Sequence, residues 1–423
     1  MDDRMEWGLL GTEQAESERR SRPLGLGAAV RAFNELAVPG LGNAWFGRQL
    51  LLALLGIHLA ERARAGGQDL SNIAAANAVE ALAVWLSLRH LGWPRDARLP
   101  GRQKLSRHRD LRDLSFATAG TRSFYVTQPM RVGTLAPLHA FGLAEGESRR
   151  FNGYNVTSRG LRLLENAFPS SRAMLLRWVC GGPLPRRRTE LRAELDPTSP
   201  LTGAVSEILR DGFLSGPASD RTRRREALAW IGALRRDRRS HTDWATRPDE
   251  IEDDAHWRDM RAGARFFEVV ALGGAVDRGS VLDHLEAGLG AFPRQRVPVD
   301  LAPSLVPADR LQALRYAAKA FLAEDHDPSP DRMATAFCNE CIQRSDVEVI
   351  RSLVARDGRI LRLVDGELRP GGAFAGRPIA APALVEDEEA PDAPVIEEGE
   401  LPPSISFRVR NLYHLAPDLA GHR

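Results

Sequence analysis

Cys338-Asn339-Glu340-Cys341 has the two-cysteine spacing of a zinc knuckle or a redox pair. A structural zinc site needs four ligands, and with no second pair in the chain Cys180 and His326 are the only loose candidates. The same four residues continue a helical pattern that puts Cys338 and Cys341 on one face, so both are read as small apolar packing groups. His241-Thr242-Asp243 and Asp253-Asp254-Ala255-His256 could in principle gather two imidazoles and several carboxylates around a hydrolytic metal. Asp249, Glu250, Glu252, Asp253 and Asp254 instead suit the start of a long helix, where negative charge complements the helix dipole. Gly25-Leu26-Gly27 and Gly40-Leu41-Gly42 have the look of phosphate-binding turns, but neither follows a strand pattern or completes a dinucleotide or Walker sequence. No Gly-x-Ser-x-Gly occurs, and Cys180 has no base beside it. The expectation is no catalytic residue, no metal ligand and no cofactor.

Arginine is the remaining chemistry. The chain carries 58 Lys or Arg against 56 Asp or Glu, a net charge of +2, which excludes a generally basic coat and a wholly acidic, solvating chain. The total conceals two opposed blocks. Gly101 to Arg192 holds 17 basic and 6 acidic residues, a local +11, and Gly371 to Ser404 holds 1 and 8, a local −7. Lys104 and Lys319 are the only lysines, a ratio that coding bias explains, so the number of arginines by itself argues for no ligand.

Within the basic block lies a patterned stretch. Thr127-Gln128-Pro129 precedes an apolar run to Gly142, Leu143 opens a strand, Gly146 to Arg150 forms a polar turn, and Phe151 to Val156 returns. Thr157-Ser158-Arg159-Gly160-Leu161-Arg162-Leu163-Leu164 then starts a helix. This order resembles the winged helix-turn-helix of bacterial multiple-antibiotic-resistance-type and arsenical-resistance-type regulators, over about residues 109–168 only. Thr127 suits the cap of a recognition helix, Pro129 its first turn, and Thr157 the cap of the helix that closes the wing. The resemblance implies a recognition helix in the major groove and a wing on phosphate or in the minor groove. Carried onto this sequence, Gln128, Arg131 and Thr134 face base edges or phosphates. Arg149, Arg150 and Asn152 form the wing tip, and Arg122 joins the DNA contact. Gln and Arg can bond adenine and guanine bidentately, and wing arginines make binding salt-dependent by neutralising phosphates. Pro137 conflicts with one unbroken helix there, because it removes a hydrogen bond and demands a kink or a later start.

The elements that must hold this module are helical. With 423 residues the chain should contain two to four units. We divide it into an N-terminal helical domain (1–100), a winged-helix domain (101–180), a helical domain ending in a β-hairpin (189–370), an acidic disordered linker (371–404) and a C-terminal docking tail (405–423). Helices are expected over Ala44–Ala60, capped by Asn43, and over Asn72–His90. Further ones follow at Leu201–Leu214, Arg221–Arg236, Glu250–Leu272, Val281–Leu289, Ala308–Ala323 and, as a single helix, Asp331–Arg356. Ile360 to Val364 reads as a strand turning at Asp365-Gly366. The fold class is thus mainly α, multi-domain, with a central winged helix and a small β-hairpin near the C-terminus.

Three cysteines fit a reducing cytoplasm, the first residues lack the pattern of a signal peptide, and the apolar run Leu50–Ala60 falls short of the ~18 residues that span a bilayer. No membrane association is expected. The function these features imply is a non-enzymatic subunit that binds double-stranded DNA within a bacterial multiprotein assembly, such as an anti-phage defence or mobile-element system. Protein partners would be met through the helical regions and the C-terminal tail, and oligomerisation is open. The alternatives are a dimeric transcriptional regulator and a scaffold whose winged helix binds only protein.

Overall fold

The computed structural model describes residues 24–121, 123–147, 150–184, 187–237, 243–275, 278–376 and 401–421. Arg122, Arg149, His241 and residues 377–400 of the acidic linker lie outside them. The described chain is mainly helical with two small antiparallel sheets. In order its helices are α1 (Gly27–Ala37), α2 (Gly47–Ala65), α3 (Asn72–Leu91), α4 (Arg102–Ser106), α5 (Phe116–Ala119), α6 (Leu135–Ala140), α7 (Ser158–Ala167), α8 (Ser171–Val179) and α9 (Arg188–Leu195). They continue with α10 (Gly203–Phe213), α11 (Ala218–Asp237), α12 (Asp254–Gly274), α13 (Val281–Ala291), α14 (Ala308–Leu322), α15 (Met333–Cys341), α16 (Asp346–Asp357) and α17 (Phe407–Ala420). Among the described residues no helix is long and apolar enough to cross a membrane.

Two compact units emerge, residues 30–264 with 401–421, and residues 24–29 with 265–376. The expected boundaries near 100 and 180 therefore run through the first unit instead of enclosing domains of their own. Its centre is the pair α2 and α3, each buried at every position of a long central stretch, residues 47–57 and 78–88. They can approach closely because Gly56 faces Ala76: a Cβ on Gly56 would stand 2.3 Å from the Ala76 Cα. The expected cap Asn43 does not serve α2, whose N-cap position is Phe46. Asp418 of α17 takes its place, accepting the Gly47 N–H at 2.6 Å, so the negative charge that the helix start favours arrives from 371 residues away.

The tail, whose apolar residues suit docking either on a partner or back on its own chain, is folded onto its own unit. Val409, Leu412, Leu415 and Leu419 of α17 are buried, and the helix packs on α2, α10 and α11. The Ser406 hydroxyl donates to Asn34 Oδ1 at 2.6 Å, Arg408 pairs with Glu35, and the Trp244 indole donates to the Pro403 carbonyl at 2.9 Å.

In the second unit the single helix expected over Asp331–Arg356 is two, α15 and α16. The break follows from a capping box at Ser345, whose side chain accepts from Glu348 N–H while the Glu348 side chain accepts in return. Arg356 ties the two helices through both oxygens of Glu340, at 2.6 and 2.7 Å. The strands are β1 (Ala144–Glu145), β2 (Asn155–Val156), β3 (Val297–Pro298), β4 (Leu361–Val364) and β5 (Glu367–Pro370); the hairpin at Asp365-Gly366 joins β4 to β5, and β3 completes their sheet in the order β3, β5, β4.

Candidate nucleic-acid interface

The stretch expected to read DNA turns its polar groups inward. In place of a helix from Thr127 to Gly142, residues Met130–Thr134 form a 3-10 turn and only Leu135–Ala140 is α-helical. Pro137 explains the break. An α-helix starting at Met130 would need the residue at 137 to donate to the Gly133 carbonyl, and proline has no N–H. The Asn43 N–H occupies that carbonyl instead, at 3.2 Å. The Gly40-Leu41-Gly42 turn leans on the same place: a Cβ on Gly40 would come within 2.4 Å of the Ala140 Cβ, and one on Gly42 within 2.9 Å of Pro137 Cδ. These glycines allow close packing against α6.

Glu80 of α3 anchors the turn. Its carboxylate accepts from the backbone N–H of Met130 at 2.7 Å and of Arg131 at 3.2 Å. Burial pushes its carboxyl up to about 7, against these two donors and the nearby Arg131 charge, which pull the other way. Arg131 is half-buried, bonds Asn77 through Nε, and lies 5.4 Å from the Phe151 ring. Thr134 is fully buried, its hydroxyl donating to the Arg131 carbonyl at 2.8 Å. These two positions are corrected from groove contacts to packing. Gln128 is exposed.

The wing is clamped in the same way. Its strands, Ala144–Glu145 and Asn155–Val156, pair in register Ala144 to Val156. Asn72 of α3 donates to the carbonyls of Phe151 and Tyr154 at 2.9 and 2.8 Å, and Glu61 of α2 accepts from Val156 N–H at 2.6 Å. Asn152, expected at the wing tip, accepts from Ile73 N–H at 3.0 Å and so serves the start of α3. Arg150 is exposed. Thr157 does cap α7, accepting from Gly160 N–H at 3.1 Å, and Gly142 at φ +64° ends the α6 segment.

Outward-facing cations gather elsewhere, where α3 ends and the α4 turn begins. Arg89 to Arg112 contains eight Arg or Lys and two Asp, a local +6. Arg89 lies over the Trp85 ring at 4.5 Å and donates to the Leu111 carbonyl, while the Trp85 indole donates to the His108 carbonyl at 3.2 Å. The 107–112 turn is thereby fastened to the end of α3. Arg109 stands 5.8 Å above the half-buried ring of Trp93, within cation–π range. Trp93 itself has φ +63°, a conformation that costs a bulky residue about 1–2 kcal/mol. Arg107, Arg109 and Arg112 are exposed, and none forms an ion pair among the described residues. Sequence reasoning placed Arg107, Arg109 and Arg112 only within the basic block 101–192 and singled out neither them nor Arg89 and Trp93. The available signal was arginine interleaved with tryptophan over one short span.

The other candidate constellations are internal. His256 is fully buried, with Nδ1 2.8 Å from Glu226 and Nε2 2.9 Å from the Ala37 carbonyl, which leaves neither nitrogen for a metal. Cys338 and Cys341 are buried on α15. Burial pushes both thiols up, that of Cys341 to about 12, which keeps them protonated and unreactive. Comparison of the chain with family models, curated proteins and solved structures returns no match.

Proposed function

We propose that the protein is a non-enzymatic, double-stranded DNA-binding subunit of a bacterial multiprotein assembly, gripping the sugar–phosphate backbone through Arg89, Arg107, Arg109 and Arg112. The observation that carries this reading is the surface made by Arg109 over Trp93 beside the anchored Arg89. Exposed guanidiniums without carboxylate partners form a fork that matches phosphate, and an aromatic among them adds a face for sugar or base. In this reading the order α6, two short strands, α7 is a reduced winged helix used for packing, with exposed Gln128 and Arg150 at most at the margin of the contact.

Duplex binding measured from about 50 to about 200 mM salt tests it. The wild type should show a steep loss of affinity, and Arg107→Ala/Arg109→Ala/Arg112→Ala should lower the logarithmic salt slope by about 0.9 for each phosphate contact removed. Absence of binding at low salt would overturn the reading and favour the protein-only scaffold. Selection from random duplexes separates a backbone-binding subunit, with weak preference, from a regulator with paired half-sites.

A further inference from the structure

The outward face of the three-stranded sheet carries arginines that the proposed contact does not use. Arg369 of β5 stands directly opposite Arg362 of β4. On the other side of β5, Val297 pairs with Leu368, and Arg296 continues that strand in extended backbone (φ −137°, ψ 129°), which brings it level with Arg369. Alternate strand residues face opposite sides. Val297, Leu361 and Leu368 fill the buried face, so Arg296, Arg369 and Arg362 form one cross-strand row on the other. Like charges directly opposite in a sheet are destabilising. Arg369 is offset by Glu367 at 2.7 Å and Asp365 at 3.8 Å, but Arg296 and Arg362 are exposed and form no ion pair among the described residues. Arg294 and Gln295, in the exposed turn just before, both hold positive φ (+58° and +48°), a strained pair that presents a further guanidinium beside the row.

We propose that this sheet face holds a DNA backbone, as a second phosphate contact carried by residues 265–376. Strands lie about 4.8 Å apart, so the row sets successive guanidiniums in a line, with the exposed Arg296 and Arg362 on either side of Arg369. That arrangement fits a repeating anion better than a single small one. The inference rests on the DNA-binding reading, and its occupant follows from charge complementarity with the same ligand.

The test uses the full chain with Arg296→Ala/Arg362→Ala in the same salt series. The expected result is a logarithmic slope lower by about 1.8, two contacts at about 0.9 each, with a Tm unchanged or raised because like charges have been separated. Arg296→Lys/Arg362→Lys should keep the slope, since point charge suffices for counterion release. An unchanged slope for the alanine variant overturns this inference alone, provided the wild type binds duplex. A fallen slope accompanied by a lowered Tm, and not retained by the lysine pair, also overturns it. So does loss of a nuclease-resistant co-purifying protein with no change in slope, which would make an acidic protein segment the occupant. Failure of the wild type to bind any duplex overturns the inference together with the function it rests on.

Discussion

Arg89, Arg107, Arg109 and Arg112 stand on the surface, Arg89 fastened to the Leu111 carbonyl and Arg109 above the Trp93 ring. Arg131 and Arg159 turn the other way: Arg131 bonds Asn77, and Arg159 donates to the Phe141 carbonyl at 2.8 Å and the Ser215 hydroxyl at 3.0 Å. Arg224 carries this second use furthest. It is 1% exposed and donates to the carbonyls of Pro39 at 2.7 Å, Phe213 at 3.1 Å and Ser215 at 3.0 Å. The difference between the regions lies in the partners available. Where helix ends and 3-10 turns leave carbonyls unbonded, a five-donor guanidinium satisfies several at once and is consumed as an internal tie. Arg107 and Arg112, whose side chains bond no carbonyl among the described residues, stay exposed and keep their donors.

Variants that separate stability from binding bear directly on this contrast. Arg224→Ala should cost the most, about 3 kcal/mol, because buried carbonyls lose charged donors and a void opens. Urea unfolding measures this, and a fully stable variant would show that the inward arginines are dispensable. Glu80→Gln should change the pH dependence of stability. With the folded carboxyl up to about 7 and the ordinary value at 4.5, the native state holds the proton more tightly. The wild type therefore loses stability as pH rises between those values, by up to about 3 kcal/mol. The variant should be flatter over the same window, and identical wild-type and variant profiles would refute the buried anchor. Asn152→Ala should lower stability by about 1 kcal/mol through the lost Ile73 bond and leave the DNA salt slope alone. A changed slope would restore Asn152 to the wing tip. Arg107→Ala/Arg109→Ala/Arg112→Ala should move stability least, within about 0.5 kcal/mol, and binding most.

Long helices were legible because apolar residues recur at helical spacing over several turns: Asn72–His90 is expected and Asn72–Leu91 is found, and Ala308–Ala323 appears as Ala308–Leu322. The hairpin was legible because Asp365-Gly366 specifies its own turn, with both residues at positive φ. The break at Ser345 carried its signal in Ser345-x-x-Glu348 and was overridden by the apolar periodicity on either side. Illegible features depend on groups distant in sequence. Glu80 captures the Met130–Arg131 turn, Asn72 the wing, and Asp418 the start of α2, and no local pattern announces an acceptor 50 or 371 residues away. The candidate site was missed for a related reason. The motif at 127–157 was read by residue type, and residue type does not reveal whether an arginine has carbonyls to satisfy.

Asp418 at the start of α2 also fixes an order of events. During synthesis α2 and α3 emerge early, but the carboxylate that closes the α2 terminus and the apolar face of α17 emerge only after the intervening residues 265–376 have been made. The first unit must therefore wait, partly open, through the translation of the second. A contact of this sequence separation makes folding slow and leaves any prematurely terminated product with an uncapped, exposed apolar helix pair. Removal of α17 would leave the Gly47 N–H without its carboxylate acceptor and uncover the surfaces of α2, α10 and α11 on which the helix packs.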